Sequence, residues 1–173
     1  MTKPTVNLVK YNPNWKLQFE YEKKRINTMV GNKIVEIEHI GSTSIKGLDS
    51  KPIIDIMAGV QDLDEAAAFV RPLSKIEYEY VPKPELTDRK FFRKGMHGQG
   101  TCHLHICEFN SIEWNEKLLF RDYLRLHPNV ALEYASLKKE LAANYKFDRP
   151  AYTMRKEPFI RTIIEKAKKD PHI

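Results

Sequence analysis

Between Trp15 and Met29, Leu17, Phe19 with Tyr21, and Ile26 recur at helical spacing, and Gly31-Asn32 closes the run. The period then changes. From Ile34 to Ile40, Ile and Val alternate with Glu36 and Glu38, the pattern of a half-buried strand. Gly41-Ser42 turns the chain into a short polar loop, and Pro52 to Val60 reads as a second strand, apolar except for Asp55. Asp62 or Asp64 caps a helix through Ala66, Ala67 and Ala68 to about Leu73. Tyr78–Val81, Phe91–Lys94 and His103–Cys107 predict three further strands, separated by Pro-rich and Gly-rich loops. Beyond them the pattern is helical. Ser111 caps Ile112 to His127, Pro128 ends that helix, Val130 to about Tyr145 forms a second, and Met154 to Lys168 a third. Pro158 fits the last of these only near its first turn.

A sheet of about five strands with two early helices, followed by three helices, predicts an α+β fold with helices gathered against one face or end of the sheet. The 173 residues suit a single domain, 1–173, with a sheet portion to about 110 and a helical portion from about 111. Hydrophobic residues at 42% and charged residues at 30% exclude a disordered chain, and no apolar run approaches a membrane span. The opening MTKPTVNLVKYNPNW has no apolar segment of the kind that starts a secretory signal. Cys102 and Cys107 fall on opposite faces of one strand, which argues against a disulfide and for a reducing, cytoplasmic setting.

Charge adds a direction. Residues 121–173 carry 12 Lys/Arg against 7 Asp/Glu, a surplus of five within a net charge of +6. A further basic cluster, Arg89 to Lys94, lies mid-chain. The imbalance suits a phosphate-bearing partner. No strand face is studded with aromatics for stacking bases, so a small phosphate ligand is expected rather than nucleic acid.

Asp55 is the costly residue. Ile53, Asp55 and Met57 share one face of their strand and Ile54, Ile56 and Ala58 the other, which is the better core face. An ionised carboxylate among apolar neighbours needs a cation or several donors. Upstream, with twelve residues between Ser42 and Asp55, Gly41 permits a sharp turn and a close backbone approach, while Ser42, Thr43 and Ser44 offer amides and hydroxyls to a phosphate.

Ile40-Gly41-Ser42 followed at this distance by Asp55 resembles the signature of the nucleotidyltransferase superfamily, with its polymerase-beta-like fold. More closely, EHIGSTSIKGLDSKPIIDIMAGV resembles the GrpB family. LVKYNPNWKLQFEYEKKRI, CHLHICE, LLFRDYLRLHPNVALEYASLKKELA and YTMRKEPFI agree in order, over almost the whole chain. The resemblance implies a nucleotidyltransferase-like mixed sheet flanked by helices, in a family sometimes fused to dephospho-coenzyme A kinase. It implies phosphate or nucleotide contacts from Gly41, Ser42, Thr43, Ser44, Lys51 and Lys156, with Tyr152 nearby, and a catalytic or metal-binding role for Asp55. Active superfamily members carry a second acid two residues on, so that two cations about 3.5–4 Å apart clamp the transferred group. Here that position is Met57, whose thioether is a poor ligand for a hard cation. Binding without appreciable magnesium-dependent transfer is therefore expected, with active nucleotidyl transfer as the alternative.

His103 and His105 lie on one strand face, about 7 Å apart. Beside Asp55 they would make a two-histidine, one-carboxylate set for a divalent metal, Mg, Mn or Zn, the histidines favouring zinc, manganese or iron. His103-Leu104-His105-Ile106-Cys107 also resembles the alternating histidines of histidine-triad nucleotide hydrolases, with Cys107 in the third place. Asp55, His103, His105 and the Gly41-Ser42 turn are expected to line one concave site. Glu38 or His39 is expected to orient the turn, Arg121 and Asp122 to form a structural ion pair, and Trp15 and Trp114 to pack in the interior.

Overall fold

The computed structural model describes residues 3–96 and 99–173. Helix α1, Asn14–Val30, buries Trp15, Phe19, Ile26 and Val30 along one side. A 3-10 turn at Gly31–Lys33 leads into strand β1, Ile34–Ile40, and the Gly-Ser loop connects β1 to β2, Ile54–Val60. Helix α2, Val70–Ser74, precedes β3, Tyr78–Tyr80, and then come β4, Arg89–Met96, and β5, Gln99–Glu108. The sheet runs β1-β2-β5-β4-β3. β2 and β5 are parallel, and the other neighbours are antiparallel.

Strand parity sorts the two faces. Ile54, Ile56, Ala58, Cys102, Leu104 and Ile106 pack with Phe92 and Tyr78 beneath α1 and α2, forming the main core. On the opposite face, Met57 and Cys107 pack with Ile40 and Trp114. Trp114 belongs to helix α3, Ile112–Leu126, whose N-cap Ser111 accepts the Trp114 N–H. Helices α4, Pro128–Asn144, and α5, Arg149–Ala167, complete the cover on this side. Leu124 of α3, Tyr134 of α4 and Phe159 of α5 close over Ile45 and Leu48 of the Gly-Ser loop. The fold is thus α+β, as the pattern predicted, but with helices on both faces of the mixed sheet rather than against one face or end, because β2 and β5 are apolar on both sides; Cys102 and Cys107 are buried free thiols on opposite faces.

Element boundaries depart from the sequence pattern where backbone pairing overrides composition. β2 starts at Ile54 rather than Pro52, because proline has no N–H for the ladder and the Ile53 N–H turns back to the Lys51 carbonyl. Asp62 does cap the next run, through the Asp64 N–H, but Leu63–Phe69 is a 3-10 helix and only Val70–Ser74 is α-helical. β4 and β5 extend past the expected ends into residues around Gly95 and Gly100, since each antiparallel strand satisfies the other's backbone. α5 starts at Arg149, where the Asp148 carboxylate accepts the Ala151 N–H and Pro150 suits the first turn. Pro158 consequently lies inside the helix rather than in its first turn.

Candidate functional site

The parallel β2–β5 register sets Asp55 beside His103 and Met57 beside His105. The His103 Nδ1 and His105 Nε2 atoms stand 3.5 and 3.8 Å from the same Asp55 oxygen, Oδ1. Phe91, across from His105 on β4, packs against both imidazoles at 5.1 and 5.2 Å between ring centres. Burial opposes charge on Asp55, but the two imidazoles outweigh it and hold the carboxyl well below the usual carboxylate range. Burial also lowers the His105 pKa, against the pull of Asp55. An ionised carboxylate flanked by two imidazoles is the result.

Gly41 brings the loop onto this carboxylate. Its φ is +71°, and a Cβ there would lie 2.5 Å from Asp55 Oδ2 and 3.0 Å from Asp55 Cβ. Only glycine accepts both the backbone conformation and the contact. Ser42–Ser44 then form a 3-10 turn, whose three residues per turn send successive side chains in three directions. Ser42 faces the cavity at Asp55. Thr43 and Ser44 line a separate cleft of about 950 Å³ with His39, Arg121 and Arg125, on the other side of the loop. The structure therefore separates these two residues from the other candidates for phosphate contact.

The loop is pinned from three directions. His39 Nε2 lies 2.9 Å from Thr43 Oγ1, and that hydroxyl donates to the Ile53 carbonyl. Burial pushes the His39 pKa down to about 4. Arg125 of α3 donates twice to the Ser44 carbonyl, and Lys138 of α4 donates to the Asp49 carbonyl. Glu38 does not join the turn. It pairs with Arg121, which also binds Asp122 and the His39 carbonyl.

The cavity at Asp55 has a volume of about 290 Å³ and collects cations: Lys51, Lys83, Arg89, Lys138 and Lys156. Arg89 is paired with Glu113 at 2.8 Å and Asp88 at 3.5 Å. No ion pair with a carboxylate joins Lys51, Lys83, Lys138 or Lys156 among the described residues; instead each ammonium lies over an aromatic ring. Lys51 and Lys156 share the Tyr152 ring, at 5.4 and 4.6 Å from its centre. Burial and then the neighbouring ammonium groups push the pKa of Lys138 down to about 7 and that of Lys156 to about 8. Burial lowers Lys51 as well. Lys51, Lys138 and Lys156, held together against their own repulsion, form a seat for an anion with Lys83 at its rim.

As a metal centre the site is incomplete. Among the described residues, no group of three or more His, Cys, Asp or Glu side chains is placed to hold an ion. Both imidazoles converge on one carboxylate oxygen, and the surrounding ammonium groups oppose a lone cation. Met57, two residues after Asp55 on the same strand face, is fully buried under Trp114 and offers no second acid.

Sequence patterning brought Asp55, His103, His105 and Ser42 to attention, the family resemblance added Lys51 and Lys156, and the structure gathers all six around one cavity. Neither singled out Lys83, Arg89, Phe91 or Lys138. Arg89 and Phe91 sat in the basic Arg89–Lys94 cluster, where strand alternation was a usable signal for Phe91; Lys83 and Lys138 carried none.

Comparison with known proteins identifies the family and the fold. The family model described as GrpB protein matches residues 5–166. The glutamate-rich protein GrpB of Alkalihalophilus pseudofirmus is 37% identical over 168 residues, covering 95% of this chain and 97% of that protein. The crystal structure of the conserved protein GrpB from Enterococcus faecalis superposes with a TM-score of 0.86 at 34% identity, over 94% of this chain and 98% of that one. The Cid1 poly(U) polymerase in its Mg 3'-dATP-bound crystal structure has a TM-score of 0.57 at 14% identity, over 85% of this chain and 49% of its own, a likeness of fold alone.

Proposed function

The chain belongs to the GrpB family, and from that premise we propose that it binds a nucleotide or other small phosphate ligand in the cavity beside Asp55. The observation that carries this reading is the set of four ammonium groups without carboxylate partners, closing on a Gly-Ser turn. Lys51, Lys138 and Lys156 would hold phosphate oxygens, and the Ser42 hydroxyl would add a hydrogen bond. Asp55, held ionised, would limit how deeply phosphate enters and would order His103 and His105. A divalent cation enters the proposal only together with the ligand. Asp55 would hold Mg, Mn or Zn while phosphate oxygens completed its shell, and the ion would supply charge neutralisation.

Nucleotidyl transfer is the second reading, favoured by the fold and by the position of Asp55 after the Gly-Ser turn. The apolar burial of Met57 weighs against it, because a two-metal clamp needs a second acid on that face. The histidine-triad hydrolase reading is weaker still, since Cys107 lies sealed between Met57 and Trp114.

Thermal stability should be followed with nucleoside triphosphates and pyrophosphate, with and without divalent metals. A ligand that binds only the native state must raise the melting temperature. Wild type should be stabilised and Lys156→Gln much less so. Asp55→Asn should keep metal-free phosphate binding and lose any enhancement by metal. Incubation with labelled nucleoside triphosphates, magnesium or manganese, and a broad acceptor mixture should yield no appreciable transfer. Robust transfer that disappears in Asp55→Asn would establish the enzyme instead.

A further inference from the structure

We infer that the ligand is recognised as an oligophosphate chain of about three phosphates, without selection of a base. This deepens the phosphate-binding reading and rests on it.

The aromatic rings of the cavity are already engaged. Phe91 has the Lys83 ammonium over its ring at 4.7 Å and the imidazoles of His103 and His105 against it. The Tyr152 ring, itself buried, carries both Lys51 and Lys156. A nucleobase gains affinity by stacking on an open aromatic face, and sequence-tolerant base binding depends on such faces. In this cavity those faces carry cations, which attract phosphate and offer a base nothing to stack on.

Size agrees with charge. The cavity's roughly 290 Å³ falls at the lower edge of the ~300–1,000 Å³ that enclose drug-sized ligands. Such a volume suits a short phosphate chain and leaves a nucleoside outside it. A terminal phosphate carries about −1.5 to −2 near neutral pH and each inner one about −1, so a nucleoside triphosphate brings roughly −3.5 to −4, enough to engage all four ammonium groups despite the offsetting Asp55 carboxylate. At the rim, Lys83 and Thr153 are exposed, so a nucleoside attached to the chain would project past them toward solvent.

Inorganic phosphate, pyrophosphate, tripolyphosphate, the four nucleoside triphosphates and free adenosine should be titrated by calorimetry against wild type and Lys156→Gln. Affinity should rise from phosphate to tripolyphosphate. Tripolyphosphate and all four triphosphates should agree within about threefold, adenosine should not bind, and Lys156→Gln should weaken all the triphosphate-length ligands at least tenfold together. One triphosphate binding more than tenfold tighter than tripolyphosphate, or more than tenfold tighter than another, would overturn base-independent recognition while leaving the phosphate site standing. If pyrophosphate, tripolyphosphate and the nucleotides all fail to bind, the phosphate site and this inference fall together.

Discussion

Asp55 and Met57 show how two residues on the same strand face acquire opposite environments. Asp55 lies toward the end of β2 where the Gly-Ser turn, two imidazoles and several lysines converge. Met57, two residues on, is fully buried in an apolar cluster with Ile40, Cys107 and Trp114. Replacing Met57 with an acid therefore does not rebuild a two-metal site. Met57→Asp should lower unfolding stability by about 3 kcal/mol or more, because it strands a carboxylate without a cation in that cluster. Denaturant melts of the variant check this, and a Met57→Asp protein of wild-type stability would show that the cluster yields. Strict strand alternation disclosed that His103 and His105 share a face, while the pairing of their strand with that of Asp55 depended on contacts distant in sequence. The sequence could not disclose that Thr43 and Ser44 turn away from Ser42, because a 3-10 turn sets that direction and the local residues are all small and polar.

The Gly-Ser loop is an element held by side chains from three others: His39 from β1, Arg125 from α3 and Lys138 from α4. Two of these grips respond to pH in different windows. His39 is held neutral with its pKa near 4, whereas the unfolded chain binds its proton near 6.5. Between those values the unfolded state holds more protons, so stability should fall as pH drops from about 6.5 to about 4, by roughly 3 kcal/mol at most. Chemical denaturation across that window should show the loss, and His39→Gln should flatten it. Lys138 and Lys156 govern the ligand. Their ammonium forms are disfavoured in the free protein, with pKa values near 7 and 8, and a bound phosphate would restore them. Binding should therefore take up protons near pH 8 and weaken as pH rises from 7 to 9, which calorimetry in buffers of different ionisation enthalpy can measure. An affinity that strengthens over that range would contradict the role of these lysines. Neither lysine's position was legible from helix periodicity, which marks a face without saying which distant loop that face will meet.

Over the whole molecule, the basic surplus is disposed in two ways. Near the C-terminus part of it is held in ion pairs: Arg161 pairs with Glu116 and Glu157, and Lys168 with Glu116 and Glu165. The ammonium groups left without carboxylate partners around Asp55 converge instead in a concave site. Random single-stranded RNA or duplex DNA should accordingly show no submicromolar, steeply salt-dependent binding in fluorescence anisotropy, since a groove that tracks a backbone needs its cations spread along a surface. Tight binding of that kind would place the useful charge elsewhere. No helix among the described residues is long and apolar enough to cross a membrane. The α+β architecture and its core face followed from periodicity, whereas the meeting of loop and helical layer depended on packing between segments distant in sequence.

The cavity's walls come from far apart in the chain, with Lys51 entering just before β2 and Lys156 from α5, the final helix. Synthesis from the N-terminus makes the sheet available well before that last wall exists. A nascent chain carrying every strand but lacking α5 has the Gly-Ser turn and Asp55 without Tyr152 or Lys156 to close over a guest. Phosphate would thus find its seat only once α5 has packed, and by binding there would draw chains toward that packing without engaging their earlier intermediates.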